Sequence, residues 1–309
     1  MNYKTPQLAI DCLASVLPEL TGDAAVVIAD SCSQDGSMAK IGSWLKGNDG
    51  AGRCRLIALP VNGGFSAGYN AAMKVVPADY YLLLNSDTVV RPGAIAKLLE
   101  AAAKHPDAGL FGPSLEWPDG TPQDSCFRDH SPLGELIAAA RTRHVTALLR
   151  PYEVPLPAAN AGQRPPWISF AAVLVRDDVL KSAGMLDEGF FLYFEDCEYC
   201  YRARGAGWES VYVPEARIIH LRGKSSPVKE KINSAKRLPR YYYASRTRYF
   251  RLCYGVAGPT LANIGWSVGR IISKTREAFG AKEPHLPGMA WKDIWTNFYD
   301  PLSAKGRDE

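Results

Sequence analysis

Apolar and polar positions alternate with two different periods along the first third of the chain. Ala25 to Ala29, Arg55 to Leu59, Tyr80 to Leu84 and Gly109 to Phe111 are short apolar runs of strand length. Between them, Gln7 to Leu17, Ser37 to Leu45, Ser66 to Val75 and Ala94 to Lys104 carry apolar residues three and four apart, as helices with one covered face do. This alternation predicts an α/β chain with a doubly wound, parallel sheet from Thr5 to about Leu115. Ligands of such sheets sit beyond the carboxyl ends of the strands, which singles out Asp30, Asn62 and Asn85 to Asp87.

Residues 116 to 166 are rich in Pro, Gly and Arg and are expected to run over the active face, with a helical stretch at Leu133 to Leu149. Trp167 to Val175 reads as a further strand, Glu195 to Ala206 as a helix, and Val211 to Val213 and Arg217 to His220 as short extended pieces. From Leu238 the pattern is helical, with Tyr242, Tyr249 and Leu252 in one series and Leu261, Ile264, Val268 and Ile271 in the next. The division expected is a catalytic domain over 1–225 and a helical extension over 226–309. Leu252 to Gly269 is an uncharged window of 18 residues, but its four glycines and Pro259 mark it as interfacial or buried rather than membrane-spanning.

Composition adds two points. A chain of 309 residues that is 47% hydrophobic and 22% charged can bury a full core, and seven cysteines after a polar Met1 to Gln7 imply a reduced, cytoplasmic protein without disulfides. The net charge of +4 conceals an asymmetry: residues 222 to 276 hold 13 Lys or Arg against one acid, Glu230, whereas the remainder holds 23 basic and 31 acidic residues. A cationic segment on an acidic body implies an anionic partner such as phosphates or the inner face of the cytoplasmic membrane. Charge alone does not make a nucleic-acid partner, and none is expected.

Five segments carry chemistry. Asp30 opens a donor- and acceptor-rich loop, Asp30-Ser31 to Ser37, suited to gripping a base or ribose; the plainer alternative is a solvated turn in which Asp35 or Ser37 caps the next helix. Asn62 to Asn70, with Gly63, Gly64 and Gly68, is a glycine loop entering a helix, either for close backbone approach by a ligand or as a simple turn. Leu82 to Asp87 delivers a carboxylate past a strand end, where a hard oxygen would hold the divalent cation that a diphosphate needs. Phe190 to Arg202 places Glu195 and Asp196 after an aromatic run that would raise a carboxylate pKa, although acids also cap helix starts. His220 ends an extended piece and precedes Arg222 and Lys224, an imidazole for metal and two cations for phosphate. Cys197-x-x-Cys200 lies within a helix with no second pair at zinc spacing and is assigned to packing.

In this order the segments resemble the family 2 glycosyltransferases of the GT-A fold, in the bacterial branch with rhamnosyltransferases, over residues 2 to about 254. The resemblance implies a mixed sheet with flanking helices and an inverting enzyme using a nucleotide-diphospho-sugar donor, a carbohydrate or lipid-linked glycan acceptor, and Mg or Mn. It likens Tyr3 to the residue backing the nucleotide base and Asp30 to the acid that reads it. Ser31, Asn62, Gly68, Asn70, Asn85, Ser86, Arg222 and Lys224 fall on the donor side, Glu195 and Trp167 on the acceptor side, Asp87 and His220 at the metal, and Asp196 in the place of the base.

Two positions depart from the family pattern: Asn85 replaces the first acid of Asp-x-Asp, and Phe170 stands where many relatives carry Gly. Relatives also begin with an apolar strand of roughly five to seven residues before the counterpart of Asn2-Tyr3, so the natural first strand is expected upstream of Met1. The alternative from another class is a non-catalytic nucleotide-sugar-binding or scaffolding protein of the same fold, which would have no use for a base at Asp196.

Overall fold

The computed structural model describes residues 1–48, 52–157, 164–221, 234, 236–280 and 285–303. In chain order the N-terminal half consists of α1 (Pro6–Val16), β1 (Val26–Asp30), α2 (Ser37–Asn48), β2 (Cys54–Ala58), α3 (Gly64–Met73), β3 (Tyr80–Leu84), β4 (Thr88–Val90), α4 (Ala94–Lys104) and β5 (Ala108–Glu116). Next come β6 (Cys126–Phe127), α5 (Pro132–Ala140), α6 (Arg143–Leu148), β7 (Pro155–Leu156), β8 (Trp167–Ile168), β9 (Ala172–Arg176), α7 (Asp177–Ala183), α8 (Glu195–Gly205) and β10 (Glu209–His220). The C-terminal helices are α9 (Arg240–Tyr254), α10 (Gly258–Ala278) and the short α11 (Ala290–Asp293).

Parallel pairing holds for β1 with β2 and for β5 with β10. The five-stranded sheet, in the order β3-β9-β5-β10-β4, is nevertheless mixed, because β9 runs antiparallel to β3 and β5, and β4 antiparallel to β10. The reason is connectivity: β9 returns after the long excursion rather than through a single crossover helix. Three expected boundaries shift for local reasons. Trp167 to Val175 is two strands, since β8 joins β6 and β7 in a small sheet before the chain enters the main one. Val211 to His220 is one strand with an irregularity between Val213 and Arg217. Helix 133–149 breaks at Arg141, whose φ of 43° ends α5, and Thr142 then caps α6 through its hydroxyl.

Between the carboxyl ends of β1 and β3 lie Met1 and Asn2. Asn2 N–H donates to the Ala29 carbonyl and Ser31 N–H to the Asn2 carbonyl, while the Met1 ammonium reaches the Leu84 carbonyl at 3.4 Å. The strand expected ahead of Met1 concerns residues outside this sequence.

The C-terminal helices share the main core. Tyr249 and Phe250 of α9 are fully buried in the cluster that contains β9 and α8. α10 lies against α5 at glycine distance: a Cβ at Gly265 would stand 2.0 Å from the Pro132 carbonyl oxygen, and one at Gly269 2.3 Å from that of Leu136. The glycines of the uncharged window therefore serve helix packing. Two cations of the basic segment, Arg246 and Arg248, are turned inward, and a third, Arg237, is paired at the surface. Arg246 bridges to Glu135 at 2.8 Å, Arg248 to Asp187 at 2.7 Å and Arg237 to Asp293 at 2.8 Å. Arg246 and Arg248 thereby tie α9 to the body, while Arg237, ahead of α9, pairs with α11.

Candidate active site

A strand ladder builds the first half of the site. The chain leaves β3 through Asn85-Ser86-Asp87 into β4, which pairs with the end of β10 so that His220 stands opposite Thr88. Leu221 N–H donates to the Asp87 carbonyl at 2.9 Å, and Gln123 Nε2 donates to the His220 carbonyl at 2.7 Å. Backbone pairing thus brings His220 Nε2 to 3.6 Å from Asp87 Oδ1, with both side chains buried. A carboxylate oxygen and an imidazole suit Mg or Mn, which accepts few protein ligands and fills its shell with water and phosphate oxygens. No group of three or more such ligands occurs among the described residues. Ser86 is buried beside Thr5, hydroxyl to hydroxyl at 3.3 Å.

Packing against an unfavourable turn builds the second half. Tyr193 and Phe194 take φ of 70° and 67°, two successive left-handed residues without glycine. Phe194 is held by aromatic neighbours, with ring centroids 5.0 Å from His130, 5.5 Å from Tyr242 and 5.7 Å from Tyr249. Burial holds the His130 imidazole down at about 4, so it remains neutral in this wall. After the turn α8 begins with Glu195 buried and Asp196 half-buried, and Cys197 N–H donates to Asp196 Oδ1 at 2.9 Å. Burial first, and the adjacent Asp196 second, raise the Glu195 carboxyl well above the usual range. Glu195 Oε2 has no hydrogen-bond partner among the described residues. The pair is thereby made unequal, with the proton favoured on Glu195.

Tyr69, which the sequence reading did not single out, links the halves. Its hydroxyl donates to Asn85 Oδ1 at 3.2 Å. Burial pushes that hydroxyl well above its ordinary pKa, and the neighbouring Cys12, Asp87 and Glu195 push the same way. An aromatic at helical spacing looks like core in sequence; only its bond to Asn85 places it at the site.

The remaining positions take varied places. Asp30 is buried and accepts from Asn2 Nδ2 at 2.6 Å, Ser33 Oγ at 2.6 Å and Ser33 N–H at 2.9 Å, so it anchors its loop instead of lying in a solvated turn. Asp35 does cap α2, accepting from Ser37 N–H. Ser31 is buried, and Tyr3 is exposed with Lys4 Nζ 5.2 Å from its ring centre. In the glycine loop the close approach is made by the protein itself: Gly64 has φ of 82°, and a Cβ there would lie 2.1 Å from the Phe191 carbonyl oxygen, which accepts from Phe65 N–H. Asn62 accepts from Gly64 N–H, Gly68 packs on the Met1 side chain, and Asn70 bonds Leu186 and Glu188. At Gly64 and Phe65 the loop grips the segment leading to Glu195-Asp196. Trp167 is buried, stacked on Phe127 at 4.1 Å, and its indole N–H donates to the Arg128 carbonyl. It backs the wall beneath His130. Cys197 and Cys200 are buried packing residues, and Arg222 and Lys224 lie outside the described residues.

Comparison with known proteins fits this geometry. Residues 2–142 match the sequence profile of glycosyl transferase family 2. An N-acetylglucosaminyl-diphospho-decaprenol L-rhamnosyltransferase of Mycobacterium tuberculosis is 33% identical over 157 residues, 48% of this chain and 48% of that protein. The low-salt glycan biosynthesis hexosyltransferase Agl10 of Haloferax volcanii is 21% identical over 230 residues, 71% of this chain and 64% of that protein. The chain thus spans about half the length of the first of these relatives. Among solved structures, the mannosyltransferase PcManGT from Pyrobaculum calidifontis, in complex with GDP-Man and Mn2+, aligns over 98% of this chain and 83% of its own with a TM-score of 0.56 at 13% identity, a likeness of fold. The architecture is that of the GT-A fold, and residues 2–142 of the chain match glycosyl transferase family 2.

Proposed function

We propose that this protein transfers a sugar, with inversion, from a nucleotide-diphospho-sugar to a hydroxyl of a carbohydrate or lipid-linked glycan in bacterial cell-surface polysaccharide or glycolipid assembly. The observation that carries the reading is the arrangement of Asp87 with His220 and of Glu195 with Asp196 about a shared Tyr69. The rhamnosyl and hexosyl transfer named for the two relatives supports the class, and Mn2+ in PcManGT supports a divalent cation.

Asp196 takes the proton of the acceptor hydroxyl. The acceptor oxygen forms a bond to the anomeric carbon as the bond to the diphosphate breaks, and the nucleoside diphosphate leaves with the electron pair. Attack opposite the departing group inverts the centre without a covalent glycosyl-enzyme. Asp87 and His220 would hold the cation, which supplies positive charge against the negative charge growing on the diphosphate. Arg222 and Lys224 are assigned to the same oxygens, and Tyr3, Asp30 and Ser31 to the nucleoside. Residues 1–225 form the catalytic unit and 226–309 an extension that attaches it peripherally to the inner face of the cytoplasmic membrane.

The test is a panel of nucleotide sugars, each with Mn, read by thermal shift and then by product analysis. One donor is expected to raise Tm in a Mn-dependent way and to yield a product of inverted anomeric configuration. Retention of configuration, or no stabilisation by any donor, overturns the reading.

A further inference from the structure

We infer that the outward side of α10, together with Trp291 of α11 and Trp295 just after it, docks on an anionic lipid bilayer by inserting apolar side chains. This deepens the peripheral attachment proposed above and stands apart from the transfer chemistry. α10 buries Ala262, Asn263, Gly265, Trp266 and Gly269 on its inner side. On its outer side Leu261, Ile264, Val268 and Ile271 are 47%, 54%, 41% and 65% exposed. At 3.6 residues per turn these four fall within an arc of about 80°. The outer side of a helix that faces only water is polar; here the other exposed residues are threonines, Ala278 and a single cation, Lys274.

Further exposed apolar side chains lie in the C-terminal segment that packs beside the inner side of α10. Asn263 Nδ2 donates to the Ile294 carbonyl, which sets the C-terminal segment against α10, and Trp291 and Trp295 there are 63% and 50% exposed. Of the 21 exposed large hydrophobic side chains among the described residues, 13 lie at or after Leu252, so the apolar surface is concentrated in this region.

Charge selects the occupant. From residue 236 onward the described residues expose Lys236, Arg237, Arg240, Lys274 and Lys292, with Arg237 paired to Asp293, against one exposed acid, Asp300. Lysines are depleted in protein-protein interfaces, whereas apolar stripes with Trp and Lys are the composition of helices lying in a bilayer interface. No described helix is long and apolar enough to cross a membrane, so the element lies in the plane of the surface.

The experiment uses the full chain with vesicles of phosphatidylglycerol and phosphatidylcholine, with phosphatidylcholine alone as the neutral control, sedimented at low and high salt. Wild type is expected to bind the anionic vesicles and to keep a salt-resistant fraction. The double variant Ile264→Glu/Ile271→Glu should lower partitioning on the order of tenfold or more at unchanged Tm. Quenching of wild-type tryptophan fluorescence by bromine-labelled lipid should occur, and Trp291→Phe/Trp295→Phe should remove most of it; this arm holds even if the charged variant fails to fold. Binding that salt abolishes completely and the variants leave untouched would assign the attachment to charge alone and overturn insertion. So would absence of binding, or a wild-type dimer in sedimentation equilibrium that the glutamate variant dissociates.

Discussion

Asp87 and Asp196 both follow an apolar run, yet opposite means hold them. Asp87 sits where β4 pairs with β10, and the bond from Leu221 N–H to its carbonyl locks the backbone next to His220. Asp196 follows two left-handed residues whose cost is offset by burying Phe194 among His130, Tyr242 and Tyr249. A ladder position tolerates changes in side chains around it, because backbone hydrogen bonds set it. A position held by packing against strain depends on the size and shape of many neighbours.

The largest break in this comparison is expected from Asp196→Asn, which keeps the shape but cannot accept a proton. Transfer should fall by about 10² to 10⁴ while calorimetric donor affinity stays near wild type. Near-normal turnover would remove Asp196 from the reaction. Asp87→Ala should weaken Mn-dependent binding of nucleoside diphosphate at least on the order of tenfold, and His220→Ala less, since the carboxylate carries charge and the imidazole does not. Equal binding by both variants and wild type, with and without Mn, would place the cation elsewhere.

Gly64→Ala tests the packed half without touching an acid. It adds a Cβ 2.1 Å from the Phe191 carbonyl oxygen at φ of 82°, so a cost of about 2 to 4 kcal/mol in denaturant unfolding is expected, together with lost transfer. Unchanged stability would mean that the grip on Phe191 is dispensable. The smallest effect is expected from Glu195→Gln. The folded Glu195 carboxyl titrates well above its unfolded counterpart, so the wild type loses stability as pH rises from the unfolded carboxyl pKa toward the folded one. Glutamine removes that slope: the variant should gain on wild type between pH 5 and pH 8, about the span above an ordinary Glu, and keep transfer within about threefold. A variant that loses ground as pH rises would show that Glu195 is ionised in the folded protein.

Much of the first half was legible because its elements are local. Tyr80–Leu84 and Ala94–Lys104 form where the apolar periods begin and end, and Asp87 lies past its strand as the pattern requires. Sequence left alternatives open where the same residue types serve two purposes. The glycines of Asn62 to Asn70 could serve a ligand or a turn, and those of the 252–269 window an interface or a buried contact; Gly64, Gly265 and Gly269 make room for the protein's own carbonyls. The cations of 222 to 276 count as one charged segment in sequence, yet Arg237, Arg246 and Arg248 pair with distant acids.

The sequence by itself determined the α/β order, the acids that follow apolar runs and the helical C-terminal region, because periodicity and end signals act over a few residues. Tertiary structure alone decided that β9 enters antiparallel, that Tyr69 bonds Asn85 between two acidic loci, and that Glu195 rather than Asp196 is the deeper carboxyl. Those outcomes depend on which side chains share a buried space across 16 to more than 100 residues of chain, as Tyr69 to Asn85 and Asn70 to Leu186 do. Local patterning carries no term for that proximity, whereas burial and hydrogen bonding, which set pKa and position, act only once it exists.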